Sequence, residues 1–489
     1  MKCKNLTAGL LAVLCLASVV SCGESTEPIS SGESEKVQDT AAVITAETEE
    51  VTTSIYETLP VPENGFGGDA FTILCRTTDL DEMYSETETG DVVDDAVFQR
   101  QSVLEESLNI KLKVIDVTGD WSNRETFLKY VSSSIQSGDD AFQLVASDMN
   151  YMPPTILKDY YMDINELPYV DLSNPWWTKG FIDNVTINGH TYAAMGSLCT
   201  TMLKYAYCGY FNKTVMAQYD YDTDGLYQTV RDGKWTFDKM LSMAKSVSGD
   251  LNGDGSIDVE HDLFGICMHY MPIRALTNAF AIDYTTRDAD GLPVLALYGD
   301  KLVAAYEKIG EACHSAYWYV DANNYTPFME NRDLFYFDVF GACAGLRNME
   351  SEFGVVPMPK YDEAQDAYRT ETVDSVSVLF VPTTVRNTEL TGMALECINY
   401  ESRRLVVPAY FDKALQSKYA RDEASAEMME IIRDSIYYDF GYVFAEVIGG
   451  IGGIMQGTID GTDITSFWTS KEKLYNKNFD RLLQYFREN

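Results

Sequence analysis

Between Phe71 and Ala146, short runs of β-forming residues alternate with amphipathic helical stretches, and this alternation limits the fold more than any other feature. Phe71–Cys75 reads as a first strand. Asp94–Leu108 reads as a helix with Val97, Val103, Leu104 and Leu108 on one side. Ile110–Val117 reads as a second strand, Arg124–Ser137 as a helix, and Phe142–Ala146 as a third strand. Apolar residues recurring at three and four mark the helices; short β-branched and aromatic runs mark the strands. Such βα units build an open sheet, in which a crevice forms outside the carboxyl ends of the strands. The segments just past those ends therefore carry most interest: Arg76, Gly119-Asp120-Trp121, and Ser147-Asp148-Met149-Asn150-Tyr151.

Further strand-like runs are Tyr205–Phe211, Phe335–Phe340, Phe353–Val356 and Ser375–Pro382. A helix is expected over Thr236–Ser248, with Thr236 as its N-cap. The C-terminal part is helix-rich: Leu390–Ser402, Pro408–Tyr419, Ala424–Tyr437 and Lys471–Arg487, the last with Thr469 and Glu472 as a capping box. Gly449–Gly453 reads as a flexible turn between helices. Strands and helices interleave without clean separation, and residues 65–489 are long for one core. The expectation is an α/β fold of two lobes joined by several crossings.

The N-terminus has the parts of an export signal. Lys2 and Lys4 precede the apolar stretch Leu6–Val20. Val19-Val20-Ser21-Cys22 resembles a bacterial lipobox, which implies cleavage before Cys22 and lipidation of its sulfur. Two acyl chains anchor firmly where one is marginal. An uncleaved membrane helix fits less well, because the apolar run is short and flows into a polar tail. Residues 23–64 read as a disordered linker. They carry ten acidic residues and one basic residue, and no apolar periodicity.

The rest holds 65 acids and 34 basic residues, a net −31. That balance argues against nucleic acid and anionic lipid as partners, and weakly favours neutral or cationic ligands. Seven cysteines follow Cys22 at wide spacings with no C-x-x-C. They are expected to be buried free thiols.

Asp250-Leu-Asn252-Gly-Asp254-Gly255-Ser256-Ile-Asp258 matches the first nine positions of a calcium loop. A hard cation needs oxygens at positions 1, 3, 5 and 9, a backbone carbonyl at 7 (Ser256), and glycine at 6 for the turn. His261 stands at position 12, where a bidentate acid is expected, so Asp262 is the favoured closing ligand. A helix enters the loop but Leu263–Cys267 reads as extended, so calcium would serve as a structural staple rather than a sensor.

The four histidines form no H-E-x-x-H, and neither G-x-S-x-G nor a phosphate loop occurs. No enzyme activity is expected. Aromatics in predicted loops, among them Trp121, Tyr151, Trp176, Trp177, Tyr270, Tyr284 and Trp318, are more suggestive, because their faces pack on sugar rings.

The runs Gly209-Tyr-Phe-Asn212-Lys, Leu226 to Lys239, the Asp250 loop through Gly265, Leu346 to Asp362, and Pro408 to Met428 together resemble extracellular solute-binding proteins of family 1. These are capture components of ABC importers, and the likeness is to lipoproteins of gut Firmicutes. The resemblance covers about Gly65 to Asn489. It implies a periplasmic-binding-protein-like type II fold, with a ligand cleft between two lobes and hinge crossings. Lobe one would be about 65–194 with 327–362, and lobe two about 195–326 with 363–489. It implies capture by hinge closure, delivery to a membrane permease, and a monomer held outside the cytoplasm by its lipid. Cleft candidates are Arg76, Asp120, Trp121, Asp148, Tyr151, Trp176, Trp177 and Tyr270, with Arg347 as either a cleft or a structural residue. A mono- or oligosaccharide is the expected solute. Rival readings are a lipid-anchored glycan hydrolase, a scaffold using the calcium loop, and a binder of peptides, amino acids or polyamines.

Overall fold

Eleven strands form three sheets in the computed structural model, which describes residues 54–488 apart from 321–324, 347 and 417–422. In chain order they are β1 (Asp69–Arg76), β2 (Ile110–Val117), β3 (Leu144–Asp148), β4 (Tyr207–Asn212), β5 (Phe264–Met268), β6 (Thr285–Arg287), β7 (Pro293–Leu295), β8 (Trp318–Tyr319), β9 (Asp333–Val339), β10 (Phe353–Pro357) and β11 (Ser377–Phe380). The first sheet runs β11-β3-β1-β2, with β1 parallel to both neighbours and β11 antiparallel to β3. The second runs β10-β4-β9-β5-β8, parallel around β5 and antiparallel around β4. β6 and β7 form a separate hairpin.

The central strands are covered on both faces, so they read as continuous apolar runs rather than alternating ones. All of β3, β4, β5, β10 and β11 is buried, as is Phe71–Arg76 of β1. Val92–Leu108 covers the first sheet. It starts where Asp91 accepts from the Val93 and Asp94 N–H groups and stops at Asn109 in the left-handed region. Arg124–Ser137 stops at Gly138, also left-handed. Thr236 caps Phe237–Val247 as expected, accepting from Lys239 N–H.

The mixed α/β architecture has two main sheets, one in each of two lobes, as the sequence leads one to expect. The lobe boundaries expected from sequence need correction. Residues 327–362 carry β9 and β10, which pair with β4 in the second sheet. β11 pairs with β3 in the first, although it follows residue 363. Antiparallel pairing to β3 returns the chain to lobe one after β10.

Two crossings are joined edge to edge. Tyr207 N–H donates to Glu371 and Val373 N–H to Tyr205, at 3.0 and 2.9 Å. At the lobe-one end, buried Glu82 accepts from Thr201 N–H and from the Ser377 hydroxyl, both at 2.6 Å.

Other expectations shift. Residues 54–64, assigned to the linker, include the helix Ile55–Thr58; Ile55 is buried, and the Tyr56 ring meets Tyr400 edge-on. The last helix is Ile464–Glu488, so Thr469 lies inside it and bonds back to the Thr465 carbonyl. Its first turn is held by Asp463, which accepts from Ser466 N–H. Cys22, residues 1–22 and the linker before residue 54 lie outside the described residues, as does Arg347. Among the described residues no helix is long and apolar enough to cross a membrane. Cys75, Cys199, Cys208, Cys267, Cys313 and Cys397 are buried, and none forms a disulfide.

Candidate functional site

A cavity of about 660 Å³ opens at the carboxyl ends of the first sheet. Arg76 ends β1 and Asp79 follows it, Asp120 and Trp121 follow β2, and Asp148 ends β3 with Asn150 just beyond. Asp374 and Ser375 lead into β11. Opposite them, Tyr270, Met271 and Arg274 come from Tyr270–Ala279, the helix after β5. Tyr442, Glu446, Gly450, Gly452, Gly453 and Gln456 add to the wall.

Arg76 is the organising group, but its donors are used internally. Its guanidinium donates to Asp79 at 2.6 Å, to Asp148 at 2.8 Å, and to the Ser375 carbonyl. All three ionic side chains are nearly inaccessible. Burial pushes the Asp148 carboxyl up to about 7, Arg76 pulls against that, and Asp374 adds to the rise. Burial also raises Asp79, outweighing its ion pair. The cluster ties β1 to β3 and to the incoming β11.

Gly119 and Tyr151 set the neighbouring turn. A Cβ at Gly119 would lie 2.9 Å from the Phe127 ring and 3.0 Å from the Arg76 side chain, so only glycine fits. The Tyr151 hydroxyl donates to the Gly119 carbonyl at 2.7 Å. Asp120 then accepts from Ser122 and Asn123 N–H groups, and Trp121 is left 54% exposed. The Arg124 guanidinium lies 4.2 Å from the Trp121 ring centroid. Across the cavity, Tyr270 is 37% exposed and leans on the His269 ring.

Asp374 accepts from Asn150 at 2.7 Å and from Arg274 at 3.3 Å. Burial alone would lower the Arg274 pKa; Asp374, Tyr442 and Glu371 together raise it. The Asn150 carbonyl oxygen and Arg274 Nε have no partner among the described residues.

Of the residues expected in the cleft, Arg76, Asp120, Trp121, Asp148 and Tyr270 line this cavity, and Tyr151, Trp176 and Trp177 do not. Tyr151 is buried behind the Gly119 turn. Trp176 and Trp177 are buried because both indoles donate to one carboxylate, Glu396, at 2.9 and 3.0 Å. Tyr284 and Trp318 are core residues. Sequence reasoning missed Arg274, Asp374, Tyr442 and Glu446. Asn150 lay inside a singled-out loop, and Gly449–Gly453 was read only as a turn. Gly449 and Gly450 do sit at positive φ, ending one helix before the next begins.

The 250–262 loop folds around its first acid. Asp250 accepts from Gly253 and Gly255 N–H at 2.6 and 2.8 Å, with both glycines left-handed. Asn252 donates to Asp254, which accepts from Ser256. Asp262 closes the loop, taking Leu251 and Asp258 N–H at 2.8 Å each, and those donors hold its carboxyl below the ordinary range. The donors are all oxygen, which suits a hard cation. Here they are turned onto backbone N–H groups, and among the described residues no three His, Cys, Asp or Glu side chains gather as a metal cage.

No protein-family model matches the chain, and no curated protein matches it. Solved structures do. The sugar-binding protein MalE from Xanthomonas citri aligns at TM-score 0.58 and 11% identity, covering 86% of this chain and all of that one. UgpB from Mycobacterium tuberculosis, in complex with glycerophosphocholine, aligns at 0.55 and 16%, covering 86% and 100%. The ABC substrate-binding protein Lmo0181 from Listeria monocytogenes, in complex with cycloalternan, aligns at 0.53 and 11%, covering 84% and 99%. This chain shares the fold of those substrate-binding proteins over nearly its whole described length.

Proposed function

We propose that this chain is an extracytoplasmic solute-binding protein that captures a carbohydrate-like solute between its lobes and delivers it to an ABC permease. One observation carries the reading. Trp121 and Tyr270 belong to a short set of large apolar side chains left exposed, and they come from opposite lobes to line one cavity. Amphipathic rings held at the mouth of a cleft suit the C–H faces and hydroxyls of sugars. MalE, Lmo0181 and UgpB, with their sugar, cyclic oligosaccharide and glycerol-based ligands, support the solute class by fold. A ligand touching both lobes favours the closed state by its differential affinity.

A thermal-shift screen of the purified protein against mono- and oligosaccharides, peptides and polyamines tests this. A sugar should raise the melting temperature; a shift from peptides alone sinks the carbohydrate reading. Cleavage of labelled oligosaccharides at catalytic rates would instead mark an enzyme.

The reading includes a lipid on Cys22, supported by the Val-Val-Ser-Cys sequence. Cys22→Ser should release the protein into the medium. It also includes structural calcium held by Asp250, Asn252, Asp254, the Ser256 carbonyl, Asp258 and Asp262, supported by their spacing and oxygen chemistry. Calcium should raise the melting temperature, and a chelator should reverse the rise.

A further inference from the structure

The cavity wall is unbalanced in charge. Its carboxylates are Asp79, Asp120, Asp148, Asp374 and Glu446, against the guanidiniums of Arg76 and Arg274, so five negative groups meet two positive ones for a formal −3. Neither Lys nor His lines it among the described residues. The imbalance is not spread evenly. Arg76 is shared internally between Asp79 and Asp148, which keep one formal negative charge between them, and Asp120 is committed to its own turn. That leaves Asp374 and Glu446 to share Arg274.

These two acids are unequally served. Asp374 uses one oxygen on Asn150 and Arg274, and its other oxygen has no partner among the described residues. Glu446 makes no hydrogen bond or ion pair with a described residue, yet lines the cavity. Burial raises its carboxyl first and the Asp374 charge raises it further, against the pull of Arg274 and Arg124. Closure of the lobes would strip water from both acids and sharpen that repulsion, unless the occupant brings a positive charge.

We infer that the natural solute carries a protonated amine held by Asp374 and Glu446, with a hydroxylated body against Trp121 and Tyr270. This rests on the proposed solute-binding role and narrows its ligand to ammonium-bearing solutes, of which an amino sugar fits the aromatic walls better than a bare polyamine. The same charge disfavours anionic solutes.

The test is calorimetric titration of the purified protein at low salt with cellobiose, chitosan disaccharide, glucose, glucosamine and spermidine. The amino member of a sugar pair should bind about tenfold more tightly than its neutral partner, and added salt should shrink the ratio. Glu446→Gln, at an exposed position, should collapse the ratio toward one. Neutral sugars binding as well as amino sugars overturn the inference and leave the carbohydrate reading standing. Spermidine binding with no sugar binding keeps the ammonium and overturns the carbohydrate. An unchanged ratio in the variant, or no binding by any ammonium-bearing probe, overturns the inference.

Discussion

Replacing Arg76 by methionine separates two roles that its position at the end of β1 leaves open. The residue lines the cavity, but its donors face Asp79, Asp148 and the Ser375 carbonyl. Arg76→Met keeps the apolar stem and leaves two carboxylates buried without a counter-ion. Removing one partner of a buried ion pair costs ~3–5 kcal/mol. The pH dependence identifies the cause. The Asp148 carboxyl is at about 7 when folded, above its ordinary value of 3.8. A group raised in this way favours the folded state below its unfolded pKa and loses that benefit as pH rises through the folded one. Without Arg76 its folded pKa climbs further, so the variant holds its protons at pH 5 and suffers most at pH 8. Urea denaturation should show a loss of ~3–5 kcal/mol at pH 8 and well under half of that at pH 5. An equal loss at both pH values, or a loss below ~1 kcal/mol at pH 8, refutes the assignment. Intact stability with abolished solute binding would make Arg76 a ligand contact instead.

Trp121→Ala should weaken sugar binding with little change in the unliganded melting temperature. A tryptophan buries ~150–250 Å², and 54% exposure leaves on the order of 100 Å² for the ligand, or ~2 kcal/mol at most; calorimetry should read a ten- to thirty-fold loss, roughly, and unchanged affinity removes Trp121 from the site. Glu396→Gln should destabilise by ~2–3 kcal/mol, because an amide nitrogen cannot accept from an indole N–H; tryptophan fluorescence should report the loosened pair, and wild-type stability would contradict the network. Burial pushes Glu82 up to about 7 from 4.5, so its contribution favours the folded state at acid pH and fades as pH rises through neutrality. Glu82→Gln should flatten the stability profile between pH 5 and 8, and an unaltered slope would place that dependence elsewhere.

The βα units were legible because their signals are local. Arg124–Ser137 and Ile110–Val117 match the structure residue for residue, since periodicity and flanking turns fix them within a short window. Crevice residues Asp120, Trp121 and Asp148 followed from the same logic, lying at strand ends or a few positions past them. Trp176 and Trp177 failed because their partner, Glu396, lies 220 and 219 residues away on a helix buried from Leu390 to Glu401. No local pattern separates such a pair from surface aromatics. Arg274 and Glu446 were invisible for a related reason: they enter the cavity from helices whose placement is set by long-range packing, against β9 for Arg274 and against the Pro153–Lys158 and Ile464–Glu488 helices for Glu446. The lobe boundaries failed at β11, whose apolar run gives no hint of which sheet it will join.

The edge-to-edge union of the two crossings has a mechanical consequence. Separate linkers would act as a ball joint, free to twist as well as bend. Strands bonded to each other through Tyr207, Glu371, Val373 and Tyr205 form a flat strap, stiff in its own plane and compliant only across it. Glu82 rivets one end of that strap to lobe one. In the proposed capture cycle such a strap favours bending of the lobes over twisting between them, which brings Trp121 and Tyr270 toward each other. If the chain captures a solute as proposed, the gap left between those two rings sets the thickness of the body that closure can enclose.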